Sequence, residues 1–314
     1  MFFLWYSIQC IVYKVRKRTE VETMKLRAMA KINLGLDVVR RREDGYHEVR
    51  MIMQTIRMYD TLELTATEGT GITVKTNLKY LPVNEDNLVY KAAKLLMEEF
   101  HVSRGLKIRL EKHIPVAAGM AGGSSDAAAV MVGVNRLFRL GLSKKELMER
   151  GVKIGADVPY CILRGTALAE GIGEQLTPLT PAPDCHVLIA KPPISVSTKF
   201  VYENLHLDQL ETHPDIDGIR SAIEAGDLHG MVARMGNVLE TVTIPAYPQI
   251  GQISSLMKEN GALGAMMSGS GPTVFGIYDD ERKAMAAKEV LKKSNLAQVI
   301  YLTKLFQSGG TKDE

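Results

Sequence analysis

Pro115-Val116-Ala117-Ala118-Gly119-Met120-Ala121-Gly122-Gly123-Ser124-Ser125-Asp126-Ala127-Ala128 is the stretch on which the reading of this 314-residue chain turns. A strand-like run ends just before it, small residues follow, and two hydroxyls stand where a helix N-cap belongs. Beyond Ser124, residues Ala127, Val130, Met131, Val134, Leu137 and Phe138 predict a long helix. Residues without Cβ atoms let a backbone approach a phosphate closely, and the free N–H groups at a positive helix end favour an anion. No Lys precedes the serine pair as in a Walker A loop, and the GxGxxG dinucleotide spacing is absent. Taken alone, the segment also fits a Gly-rich turn capped by serine.

Upstream, KLRAMAKINLGLDVV, EVRMIMQTI, DTLELTAT and GITVKT read as four strands, divided by turn signals such as Asp44-Gly45 and Glu68-Gly69. The first helix is expected after Asn87, with Leu88, Ala92, Leu95, Leu96 and Phe100 at helical spacing, and GLKIRLEKHI then returns as a strand. Downstream, Ser143 followed three residues later by Glu146 predicts a capped helix over 143–154. Three prolines within 177–184, TPLTPAPD, set a domain boundary near residue 180. Past it come a strand, CHVLIAKPP, helices around 198–205, 216–238 and 248–259, and a Gly-rich turn at 268–272. A strand TVFGIY, a helix over 280–293 and a last strand AQVIYLTKL complete the chain. The order predicts an α+β protein with an N-terminal domain over 24–180, a C-terminal domain over 181–314 and an extension over 1–23.

Composition narrows the function. Thirty-nine Lys and Arg against 36 Asp and Glu leave +3, too balanced to mark a nucleic-acid binder. Three separated cysteines, Cys10, Cys161 and Cys185, suit neither a disulfide framework nor a zinc site, so a cytoplasmic setting is expected, and the seven scattered histidines predict no metal ligands. Residues 2–13, FFLWYSIQCIVY, are apolar but shorter than a membrane span, and their basic residues follow rather than precede them as in a signal peptide. A dispensable tail, a segment packed on the domain or a partner, and a membrane-surface segment all fit this stretch.

With four other segments, the loop resembles the phosphate-binding motif of the GHMP kinase superfamily, in the form its cytidyl-methylerythritol kinases carry. Those segments are Ala30-Lys31-Ile32-Asn33-Leu34-Gly35-Leu36, Asp44-Gly45-Tyr46-His47-Glu48, Gly155-Ala156-Asp157-Val158-Pro159-Tyr160 and Met267-Ser268-Gly269-Ser270-Gly271-Pro272-Thr273. The resemblance runs from about residue 24 to 306. It implies a two-domain fold, the first domain ribosomal protein S5 domain 2-like and the second ferredoxin-like. The implied activity is ATP-dependent phosphorylation of the 2-hydroxyl of a cytidine diphosphate-linked methylerythritol, in the non-mevalonate route to isoprenoid precursors.

The resemblance assigns Asp157 as the catalytic carboxylate and Lys31 as the catalytic lysine, with Lys31 near enough to keep Asp157 ionised and to counter phosphate charge. It assigns Pro115, Val116, Ala117, Ala118, Gly119, Met120, Ala121, Gly122, Gly123, Ser124 and Ser125 to the ATP phosphates, and Asn87 and Lys112 to the nucleotide base. Tyr46 and His47 are implied to hold the cytosine, Asn33 the methylerythritol part, and Tyr202 to close over the base, a role for which Phe200 competes. Mg²⁺ is expected generically, on the phosphates of ATP, with Ser125 as a candidate oxygen donor. Met120 and Ala121 depart from the Leu and Gly common in this loop. Two other readings remain: a relative acting on homoserine, mevalonate or a sugar, and a non-catalytic ligand-binding relative.

Overall fold

Two long antiparallel strands, β1 (Thr23–Arg41) and β2 (His47–Thr67), form the spine of the computed structural model, which describes residues 22–307. The Asp44-Gly45 signal is realised as the turn between them: Gly45 adopts φ 85°, and Arg42 N donates to Tyr46 O at 2.8 Å. β3 (Ile72–Thr76), α1 (Leu88–Glu99), β4 (Gly105–Glu111), α2 (Gly122–Leu137), α3 (Lys144–Gly151) and α4 (Val158–Leu163) follow, then β5 (Thr166–Glu170) and β6 (Gln175–Pro178). These strands make one sheet in the order β3-β4-β2-β1, with β5 on β2 and β6 on β5.

The chain then enters a second sheet at β7 (His186–Lys191) and continues through α5 (Thr198–Glu203), α6 (Ile216–Glu224) and α7 (Leu228–Ala233). A two-residue strand, β8 (Gly236–Asn237), returns to the first sheet beside β1. α8 (Glu240–Ala246), α9 (Gln249–Glu259), β9 (Gly264–Met267), β10 (Val274–Tyr278), α10 (Glu281–Ser294) and β11 (Val299–Lys304) complete the second sheet, ordered β11-β7-β10-β9.

Two apolar cores explain why β1 is buried on both faces. Leu26, Ala28, Leu36 and Val38 pack with Ala92, Leu96, Val130 and Val134 of α1 and α2, whereas Ala30, Ile32 and Leu34 pack with Val187, Ile189, Phe275 and Ile277 of the second sheet. Even-numbered residues therefore change face twice along one strand. These changes of face fall at two of the three register irregularities between β1 and β2, those between Met29 and Lys31 and between Asn33 and Gly35. Between them Lys31 and Asn33 lie opposite Ile32, so two bulges set the face on which these polar residues appear.

α4, β5, β6, α8 and β9 have no counterpart in the sequence reading, and three other elements differ from it. β2 is one strand rather than two. Asp60, taken as the start of a new strand, is buried within the ladder because its carboxylate is fully used by Lys112 and by the N–H groups of His113 and Ile114. The helix expected over 216–238 is broken: Gly226 takes φ 70°, Asp227 caps a new helix, and Gly236 begins β8. α2 begins at Gly122, before the serine pair, so neither serine is its N-cap. Residues 1–21 of the expected extension lie outside the described residues.

Candidate active site

Ala121 holds the N-cap position of α2 in the left-handed region, φ 53°, without a side-chain cap, and the helix's first hydrogen bond runs from Ser125 N to Ala121 O at 2.8 Å. The N–H groups of Gly122, Gly123 and Ser124 thus stand at the positive end of a 16-residue helix, where a phosphate is favoured. Ser125 is buried and donates to Met29 O at 2.6 Å. Ser124 is half-buried, with its Oγ 3.9 Å from where a Cβ on Gly155 would stand.

A cavity of about 230 Å³ opens beside this helix end, lined by Asn87, Leu88, Lys112, Pro115, Gly122 and Gly123 among others. The structure therefore brings Asn87 and Lys112 to the phosphate loop. Both side chains are engaged within the protein, however. Asn87 caps α1, accepting from Val89 N at 3.0 Å and donating to Pro82 O at 2.7 Å. The Lys112 ammonium is buried between Asp60 and Asp126, 2.7 Å from Asp126 Oδ2.

A second Gly-rich turn closes on the first. Ser268 Oγ donates to Gly119 O at 3.0 Å, and a Cβ on Gly119, φ 73°, would stand 2.1 Å from Ser268 O. Only glycine fits this contact. Asn237 donates to Met267 O at 3.0 Å and to Gly269 O at 2.8 Å, while Glu240 accepts from Met267 N at 2.6 Å, so β8 ties the turn to β1. Ser270 and Thr198 share a 2.8 Å hydrogen bond that joins the turn to α5.

Lys31 is buried, and its Nζ donates to Asn33 Oδ1 at 2.7 Å. Its backbone N–H donates to Met120 O at 3.2 Å, stitching β1 to the phosphate loop. Asp157 stands at the N-cap position of α4 without capping it, and no hydrogen bond or ion pair engages its carboxylate among the described residues. Among the described residues Lys31 and Asp157 form no direct ion pair, the Lys31 ammonium being bonded to Asn33. Both lie around the buried Cys161 thiol, which burial pushes up in pKa, with Asp157 adding to the shift and Lys31 opposing it.

The His47 and Tyr202 rings meet at 5.1 Å between centroids, inclined by 35°. Burial, then the charge of Asp157, raises the Tyr202 phenol, placing this aromatic within electrostatic reach of the carboxylate. Desolvation, then Arg41, lowers His47, which favours the neutral imidazole. Tyr46, 60% exposed, leaves its ring open to solvent, and Phe200 is exposed on α5 away from the contact that Tyr202 makes. Asp60, Asp126, Asn237, Glu240, Ser270 and Thr198 escaped sequence reasoning. An acidic residue inside the apolar alternation of β2 was the one local sign of the buried group at Asp60.

Residues 87–165 match the GHMP kinases N terminal domain and residues 219–297 the GHMP kinases C terminal description. Fold and site together thus define a GHMP-type kinase. A homoserine kinase structure from Cytophaga hutchinsonii, 20% identical, shares the fold with a TM-score of 0.76 over 94% of this chain and 99% of its own. A crystal structure of 4-(cytidine 5'-diphospho)-2C-methyl-D-erythritol kinase, 31% identical, superposes with a TM-score of 0.78 over 91% of this chain and all of its own. The 4-diphosphocytidyl-2-C-methyl-D-erythritol kinase of Lachnospira eligens is 56% identical over 286 residues, covering 91% of this chain and 99% of that protein. The chain belongs to the 4-diphosphocytidyl-2-C-methyl-D-erythritol kinase family.

Proposed function

We propose that the protein transfers the γ-phosphoryl group of ATP to the 2-hydroxyl of 4-diphosphocytidyl-2-C-methyl-D-erythritol, releasing ADP, as a step of the non-mevalonate route. The observation that carries this reading is the Asp157 carboxylate, which caps no helix, is engaged by no hydrogen bond or ion pair among the described residues, and acts electrostatically on Tyr202 and on the Cys161 thiol that Lys31 also influences. A carboxylate held in this way is available to orient the acceptor hydroxyl and take its proton, a role worth roughly 10²- to 10⁴-fold. Lys31, fixed by Asn33, counters the charge that develops on the phosphoryl oxygens.

The division of labour follows the chain. Residues 24–180 supply the phosphate loop, Lys31 and Asp157; residues 181–314 supply Tyr202 and the turn that closes on Gly119. The nucleotide phosphates lie along Pro115 to Ser124, with the base toward Asn87. The joined His47 and Tyr202 rings face the cytosine, Tyr46 adds a stacking face, and Asn33, fully buried, serves the polyol side by fixing Lys31. Magnesium bound with ATP would neutralise charge on the phosphate oxygens, and Ser124, the more accessible of the two serine hydroxyls at the helix end, would offer it an oxygen.

An ADP-release assay on the full chain tests the reading. Turnover is expected with the cytidyl acceptor and not with homoserine, mevalonate or simple sugars. Turnover with one of those instead, or none with any acceptor, overturns it.

A further inference from the structure

Lys112 lines the cavity beside the nucleotide loop, yet its side chain is engaged within the protein. Its side chain is 4% exposed, and its ammonium bridges Asp60 on β2 and Asp126 on α2, whose side chains are 0% and 3% exposed. Asp60 also accepts from His113 N at 2.5 Å and Ile114 N at 2.8 Å. One carboxylate on β2 therefore grips the chain as it enters the phosphate loop and, through Lys112, the first helical residues beyond it. The backbone of Lys112 is clamped as well: Asn77 Oδ1 accepts from its N–H at 2.9 Å, and Asn77 Nδ2 donates to its carbonyl at 3.1 Å.

The brace reaches the floor of the loop. A Cβ on Gly122 would stand 3.2 Å from Lys112 Nζ, so the ammonium lies directly beneath the first N–H groups of α2. Asp126 Oδ1, buried, has no hydrogen-bond partner, leaving two carboxylates to share one ammonium. A buried group of this kind is costly unless its geometry is kept, and removing one member strands the others. Its members come from β2, the end of β4 and α2, so its geometry fixes the relative position of all three.

Resting on the kinase reading of this site, we propose that Asp60, Lys112 and Asp126 form a positioning unit that sets the conformation of the nucleotide loop, and that Lys112 acts through the loop without reading the base. The consequence is specific. Asp60, which is fully buried and cannot touch a nucleotide, influences ATP binding as strongly as Lys112, and neither changes which purine is preferred.

The test is calorimetric titration of the full chain and of Lys112→Met, Lys112→Arg and Asp60→Asn with non-hydrolysable ATP and GTP analogues. Binding is read without turnover, so the result does not depend on which acceptor the enzyme uses. Lys112→Met and Asp60→Asn are each expected to weaken the ATP analogue about tenfold or more, since a small misplacement of binding groups is expensive. The ATP-to-GTP ratio should stay within about twofold of the parent, and Lys112→Arg should recover part of the loss because it keeps a cation between the carboxylates. A changed purine preference in Lys112→Met but not in Asp60→Asn would overturn the proposal and make Lys112 a base contact. Unchanged affinity in both, with only a lower melting temperature, would reduce the triad to a structural ion cluster. Should Lys112→Met fail to fold, Lys112→Arg and the isosteric Asp60→Asn carry the same comparison.

Discussion

On the nucleotide side of the cleft, Gly119 to Ser124 present backbone, and the nearest polar side chains, Asn87 and Lys112, are already bonded inside the protein. On the acceptor side, Lys31, Asn33, His47, Asp157 and Tyr202 come from four separate elements; Lys31 and Asn33 are buried and bonded to each other, whereas the Asp157 carboxylate is unengaged among the described residues. On the proposed function, ATP would be gripped by a conformation and the acceptor recognised by functional groups. A conformation tolerates a change of residue only where φ and space allow it, whereas a set of functional groups tolerates changes of backbone better than changes of chemistry.

The largest effect expected from the backbone side is at Gly119. Gly119→Ala would force a left-handed alanine against Ser268 O, and should lower stability by about 2–3 kcal/mol while raising the KM for ATP; thermal unfolding and steady-state kinetics read the two effects. A variant with the parent's melting temperature and KM would break the contrast. Next comes the aromatic pair. Tyr202→Ala removes the ring that faces His47 and should raise the acceptor KM about tenfold with the ATP KM nearly unchanged, the scale of one lost stacking contact. Equal changes in both constants would mean that α5 serves closure rather than recognition. The smallest effect is at Ala121, left-handed at φ 53°, where Ala121→Gly should relieve strain and raise stability by about 1 kcal/mol in denaturant titration. Loss of stability there would argue against a strained cap.

The same contrast explains what the sequence allowed to be read. A phosphate grip is local, and its small residues run from Ala117 to Ser125 with Met120 alone interrupting them, so the loop stood out although the start of its helix was placed too late. Resemblance supplied Lys31, Asn33, His47 and Asp157. The two bulges that turn Lys31 and Asn33 onto one face left no pattern of their own, because a bulge is a property of the pair β1 and β2. Resemblance assigned Lys112 to the nucleotide base, and its bond to Asp60, 52 residues away, spans a separation that no local spacing conveys. Asp60 itself broke the strand pattern for the same reason: a charge inside β2 is tolerable only with partners brought by the fold. Tyr202 and Phe200 were separable only once α5 had turned one toward His47 and left the other exposed.

The most direct measurement is the steady-state kinetics of Asp157→Asn with ATP and 4-diphosphocytidyl-2-C-methyl-D-erythritol. A side chain that handles the acceptor proton, beside a nucleotide held by backbone, predicts a fall in kcat of about 10²-fold or more with the KM for ATP within about twofold of the parent. A kcat within about threefold of the parent would contradict it.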